Sequence, residues 1–180
     1  MSRSTAASQR SYKVRRLTLT GVFSALIFVF TAYLHVPTGA GYTHAGDGLI
    51  YLAASILPFQ YAAAAGAIGG GLADGLSGFV IWMPATILIK IITAFFFSNK
   101  GKKIITVRNV LAVIPALIVC VVGYSVYEGT VMARGFSAGA MAAAFAQTPA
   151  YMVQVGASSA LYIAAGLALD KIGFKKNISK

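Results

Sequence analysis

Residues 66–97 read GAIGGGLADGLSGFVIWMPATILIKIITAFFF, and two charges, Asp74 and Lys90, stand there inside otherwise apolar sequence. They belong to consecutive stretches long enough to cross a bilayer. An ionisable side chain at bilayer depth costs roughly 3 kcal/mol or more unless it is paired or hydrated, so each marks a candidate functional position. The two charges read either as an ion pair between neighbouring helices or as ligand contacts, and both can hold at once. The expectation is a membrane protein with a polar pocket.

Composition agrees. With 58% hydrophobic and 11% charged residues and a mean hydropathy of +0.76, the chain is far from a soluble domain, in which about 25% of residues are charged. The net charge of +11 does not argue for nucleic acid, because the basic residues sit in short flanks between apolar runs, as in cytoplasmic loops of membrane proteins. A single cysteine, Cys120, excludes an intrachain disulfide framework and a cysteine-built metal site. No small-residue cleavage site follows the first apolar run, which is expected to remain as a helix.

Apolar stretches cover residues 17–34, 48–57, 61–79, 82–97, 110–132 and 138–169, where a full span needs about 20 residues. The expected fold is an all-α membrane protein with six transmembrane helices and one domain, 17–170, between basic tails at 1–16 and 171–180. The second helix is short. The last begins near Pro149, after a loop or interfacial segment over 135–148. Lys and Arg cluster in the first tail, between the fourth and fifth spans (Lys100, Lys102, Lys103, Arg108) and in the last tail (Lys171, Lys175, Lys176, Lys180). All three clusters belong in the cytoplasm by the positive-inside rule, so both termini are expected inside. That parity requires 48–57 to cross, or nearly so, and puts the loop 35–46 outside.

On this topology the polar side chains gather in the outer half. Asp74, Trp82, Tyr124, Glu128, Tyr151 and Gln154 lie there, the outer loop adds Tyr42, His44 and Asp47, and Thr86 and Lys90 follow Trp82 along one helix face. Tyr124 and Glu128, four apart, also share a face. Aromatic walls with a few convergent polar groups describe a small-molecule pocket. Asp47, just before an apolar helix, reads equally as an N-cap. Trp82, Tyr124 and Tyr151 read equally as interface-belt aromatics. On the first helix Gly21, Ser24 and Ala25 form a small-residue surface suited to close helix approach, by a partner or within the chain; Gly66 and Gly70 read as internal packing.

Three ordered motifs then acquire a common meaning. YTHAGDGLIYLAASILP, GAIGGGLADGLSGF and MPATILIK together resemble the substrate-binding S components of energy-coupling factor (ECF) transporters, in the branch that includes riboflavin-type and hydroxymethylpyrimidine-type members. The likeness is specific over 17–90 and rests on hydropathy beyond. It implies a six-helix vitamin-binding subunit in the bacterial cell membrane. An outward pocket is closed by the first external loop, and the subunit docks on a transmembrane coupling subunit driven by two cytoplasmic ATPases, toppling to deliver its vitamin. Typical members dock through an A-x-x-x-A face, here altered to Gly21-x-x-x-Ala25. The chain carries no phosphate-binding Gly-Lys-Ser/Thr loop, so Mg-ATP is expected on partner subunits and no cofactor or metal here.

Aromatic rings for stacking, carboxylates at Asp47, Asp74 and Glu128, and Lys90 as donor suit a small hydroxylated heteroaromatic, pyridoxine-like or hydroxymethylpyrimidine-like. Riboflavin and pantothenate stay open; Lys90 and Arg134 are available to an anionic ligand. Two other classes compete. One is a self-sufficient proton-coupled transporter using Asp74 and Glu128, against which stand the small size and the lack of a repeat. The other is a membrane enzyme, for which there is no catalytic constellation: His44-x-x-Asp47 supplies too few ligands for a metal site.

Overall fold

The computed structural model describes residues 2–38 and 41–178, with side chains from Gln9 onward. Met1, Gly39, Ala40, Ser179 and Lys180 lie outside the described residues, and with them the extreme ends of both expected tails. The chain is mostly helical, with helices α1 (Ser2–Ala32), α2 (Asp47–Ile56), α3 (Phe59–Leu76), α4 (Met83–Phe96), α5 (Val107–Leu111), α6 (Val113–Tyr127), α7 (Ala138–Phe145), α8 (Thr148–Lys171) and α9 (Phe174–Ile178). A 3-10 turn, Val80–Trp82, leads into α4, and a π-helical turn, Glu128–Met132, ends α6. Among the described residues, three stretches are long and apolar enough to cross a membrane: Gln9–Ala32, Val107–Met132 and Ala138–Lys171.

Three local features differ from the sequence expectation. The outer loop is not irregular: His35–Thr38 (β1) and Gly41–His44 (β2) pair antiparallel, with His35 opposite His44 and Pro37 opposite Tyr42, so the fold is helical with one hairpin. The basic tail continues the first helix, since α1 starts at Ser2. Within 135–148, Ser137 in extended backbone accepts a hydrogen bond from Ala140 N–H and caps α7.

α2 is the element that the rest surrounds. All ten of its residues are buried, which is how a helix apolar on every side satisfies itself. At 1.5 Å per residue it is about 15 Å long, half of a ~30 Å hydrocarbon core. It is therefore a core helix enclosed by α1, α3, α4 and α8 rather than a span in contact with lipid. Asp47 lies in its first turn, and Gly46 occupies the N-cap with no side-chain cap bond, so the capping role expected of Asp47 is not realised.

α3 brings its neighbours close through small residues. A Cβ on Gly69 would sit 2.6 Å from the Ser24 carbonyl oxygen of α1, and one on Gly70 would sit 3.0 Å from the Thr86 methyl of α4. The helix ends at Gly78, whose φ of +87° favours glycine, and Phe79 N–H closes back on the Asp74 carbonyl. That closure sets Asp74 in the last turn of α3, facing the hairpin.

The end of the molecule away from the hairpin is closed by polar chemistry. Asn109, buried, donates to Ser55 Oγ and to the Ser98 and Ile104 carbonyls and accepts from Ser98 N–H. The Asp170 carboxylate accepts from Ile104 and Ile105 N–H. Behind Asn109, Tyr51 stacks on Phe97 at 4.6 Å, and Tyr162 meets both edge-on.

Gly69→Ala is expected to force α1 away from α3 and to destabilise the fold by about 1–3 kcal/mol, the usual cost of overpacking. Thermal unfolding of the detergent-solubilised protein measures it; an unchanged midpoint contradicts the close approach.

Candidate functional site

A chamber of about 40 Å³ lies where the hairpin meets α3, α4, α6 and α8. Its walls are aromatic. Trp82 meets Tyr124 edge-on at 5.8 Å, and Tyr124 stacks on Tyr151 at 5.6 Å with an 18° interplanar angle. Tyr42 crosses from β2, its ring 4.7 Å from Phe79 and 4.6 Å from His35, and its hydroxyl donates to Asp74 Oδ1. The other carboxylate oxygen, Oδ2, is buried and makes no well-aligned hydrogen bond among the described residues, although the Thr86 hydroxyl stands close enough to stabilise the carboxylate. A buried acceptor is costly to leave unmade, so this atom is available to an N–H or O–H donor. Thr86 Oγ1 and Tyr124 Oη share a hydrogen bond of 3.1 Å at the edge of the chamber.

Beneath this layer lies the charge pair. Lys90 Nζ is 2.6 Å from Asp47 Oδ1, and both residues are almost fully buried. Gln154 Nε2 donates to Asp47 Oδ2 at 2.9 Å, and the Lys90 ammonium lies 5.3 Å from the centre of the Tyr124 ring. The sequence reading left Lys90 and Asp74 as either an ion pair or ligand contacts. The structure pairs it instead with Asp47, because α2 starts deep in the protein, whereas Asp74 in the last turn of α3 is held by Tyr42. Neither Asp47 nor Lys90 lines the chamber; they hold Gln154 and Tyr124, which do.

Eight of the eleven residues expected at the site line the chamber: Tyr42, His44, Asp74, Trp82, Thr86, Tyr124, Tyr151 and Gln154. Glu128 does not. The chain leaves α-helical geometry at that residue, and its carboxylate accepts from Gln147 Nε2 at 2.6 Å to both oxygens. Thr38, Gly41 and Gln147 line the chamber without having been singled out. Gln147 could have been found, since it stands four residues before Tyr151 at the start of the last helix; Thr38 and Gly41 depend on the hairpin register. On α1, Gly21 and Ala25 are exposed, whereas Ser24 is buried and donates to the Thr20 carbonyl. Ser24 thus belongs to packing against α3 rather than to an outer docking face.

The hairpin is fastened over the chamber. Thr43 Oγ1 donates to the Ala150 carbonyl of α8 at 3.1 Å, and Gly41 packs toward the indole of Trp82. Burial and the Asp74 carboxylate raise the Tyr42 phenol well above its usual pKa, so it stays a donor. Burial lowers His44 from 6.5 to about 4, with the Asp47 carboxylate opposing in part. The neutral ring accepts from Gly46 N–H through Nδ1 at 3.1 Å.

Two outcomes follow. Lys90→Met, which leaves Asp47 uncompensated, is expected to cost about 3–5 kcal/mol, and adding Asp47→Asn should recover part of it in a double-mutant cycle; additive losses would mean the two side chains do not interact. The unfolded chain takes up a proton at His44 below pH 6.5 and the folded one only near pH 4. This position's contribution to stability therefore falls as pH drops from 6.5 toward 4, by up to about 1.4 kcal/mol per unit. His44→Gln should flatten that part of the midpoint-versus-pH curve.

The chain matches the family described as "ECF-type riboflavin transporter, S component" over residues 11–171. No curated protein matches it. The match spans every element that builds the chamber, and it extends the likeness past residue 90, where the motifs ended. Membership together with the apolar helices makes this a membrane protein and a transport subunit rather than an enzyme. The chain belongs to the S components of ECF transporters, the subunits that bind a vitamin for import.

Proposed function

We propose that the chamber under the β1–β2 hairpin binds a vitamin or vitamin precursor built on a single hydroxylated or aminated six-membered heteroaromatic ring, of the pyridoxine or hydroxymethylpyrimidine kind. The observation that carries this reading is the buried Asp74 carboxylate, whose Oδ2 makes no well-aligned hydrogen bond among the described residues, set among the rings of Tyr42, Trp82, Tyr124 and Tyr151. A flat ring stacks on those faces, and its hydroxymethyl or amino group donates to Asp74. The Gln147 and Gln154 amides and the Thr86 hydroxyl supply the polar edge. A space of about 40 Å³ is smaller than the roughly 150 Å³ that one ring occupies, so the hairpin must lift to admit any ligand, and must lift least for a single ring. Riboflavin is the second reading, favoured by the description of the matched family, and it requires the hairpin to lift further from Trp82.

In this reading six segments cross or enter the bilayer with both termini in the cytoplasm, and the hairpin faces outside. α2 enters without spanning alone. The vitamin enters as β1–β2 lifts and is enclosed as Thr43 regains α8. The loaded subunit docks on a transmembrane coupling subunit, for which Gly21 and Ala25 offer a small-residue face. Two partner ATPases bind Mg-ATP and supply the energy; the chain itself needs no cofactor.

Trp82 is the only tryptophan in the sequence, so its fluorescence reports directly on the chamber. Native mass spectrometry of protein purified without added ligand should show one retained small molecule. A single-ring vitamin supports the first reading and a flavin the second. Asp74→Asn is expected to weaken binding of that molecule roughly 10- to 100-fold in a Trp82 titration, and unchanged affinity removes Asp74 from the site. Uptake by the chain alone in proteoliposomes, driven by a proton gradient without ATP, would overturn the subunit role. For topology, Val36→Cys should label from outside intact cells and Lys102→Cys only after permeabilisation; the reverse pattern inverts the orientation.

A further inference from the structure

A second cavity, of about 330 Å³, lies at the opposite end from the vitamin chamber, bounded by α1, the α2–α3 junction, the segment after α4, and α9. Its two walls differ in chemistry. One carries Arg15, Arg16, Lys175 and Asn99; the other carries Leu19, Ile56, Leu57 and Ile178. The basic wall is held in place: Arg15 donates to the Ile178 carbonyl at 2.6 Å, the Arg16 guanidinium lies over the Tyr61 ring at 5.9 Å, and Lys175 donates to the Lys103 carbonyl at 3.5 Å. No acidic residue lines the cleft. The nearest acid in sequence, Asp170, has both carboxylate oxygens engaged by the Ile104 and Ile105 amides. Burial lowers the pKa of Lys175, so a bound anion would also stabilise its charged form.

The geometry points to a binding site for an anionic phospholipid, with the headgroup phosphate between Arg16 and Lys175 and an acyl chain along Leu19, Ile56 and Ile178. A free phosphate uses the charges but has no need of the apolar wall. An acidic peptide would use the charges too, but the cleft lies where the apolar run of α1 begins, at headgroup level for a membrane helix. Basic pockets between helices at that level recognise phosphorylated headgroups through juxtaposed Lys and Arg. Because α1, α2, α3 and α9 all border the cleft, the lipid would act as a clasp between the N- and C-terminal segments.

The test uses the full chain in detergent, offered phosphatidylglycerol and phosphatidylcholine of matched acyl chains and read by native mass spectrometry. Phosphatidylglycerol is expected to be retained roughly tenfold or more over phosphatidylcholine. Arg16→Gln/Lys175→Gln should abolish that preference, while Arg16→Lys/Lys175→Arg should keep it. Circular dichroism melting verifies that the variants fold, and excess inorganic phosphate should fail to displace the lipid. Equal retention of the two lipids, or a preference that survives the neutralising pair, overturns the site. Displacement by phosphate makes it a small-anion site and overturns the lipid assignment. Indifference to lipid, with loss of coupling-subunit co-purification in the neutralised variant, assigns the cleft to a protein partner instead.

Discussion

The Lys90–Asp47 contact sets the terms for everything around the chamber. An ammonium and a carboxylate, both buried, demand mutual neutralisation and further hydrogen bonds, and these come from Gln154 and from the face of Tyr124. Three helices, α2, α4 and α8, are thereby fixed at one point, with α6 held through Tyr124. The chamber residues inherit their positions from that knot. Tyr124 is placed by the charge below it and by Thr86 beside it, and it in turn stacks Tyr151 and meets Trp82. Orientation of the aromatic walls is thus secured by electrostatics a layer deeper than the surface a ligand would touch.

Small residues complete the arrangement where charges cannot. Gly69 and Gly70 on α3 let α1 and α4 approach from different sides, which draws Thr86 and Lys90 toward the centre and leaves Asp74 at the rim. The contrast between the two acids follows from this. Asp47 is matched by a buried cation and an amide, whereas Asp74 is met only by hydroxyls, those of Tyr42 and Thr86. The same residue type therefore serves as scaffold at one position and, on the proposed reading, would serve recognition at the other.

Much of this was legible in the sequence because membrane segments obey coarse rules. Hydropathy located the apolar segments, and the odd charges pointed to the chamber. Spacing grouped Trp82, Thr86 and Lys90 on one side, and all three are buried, with Trp82 and Thr86 lining the chamber. Pairing was harder: sequence proximity suggested Asp74 for Lys90, and only the depth at which α2 begins selects Asp47. Helical spacing also misled at Glu128, where the π-turn intervenes and the carboxylate meets Gln147. Thr38 and Gly41 carry no chemical signature; they reach the chamber because a two-stranded hairpin, invisible to hydropathy, folds over it. Ser24 shows the limit of small-residue motifs, since adjacent positions on a helix point in different directions and only Gly21 and Ala25 stay outward.

The Asn109 network and the Tyr51–Phe97–Tyr162 stack close the molecule on the side away from the hairpin, so the chamber under the hairpin is a cul-de-sac. A ring travelling straight through would have to break several buried hydrogen bonds and part three packed aromatics, while the hairpin side is fastened mainly by Thr43 and Tyr42. On the proposed reading, cargo would leave by the side it entered, and delivery across a barrier would then require that side to be re-presented to the other face.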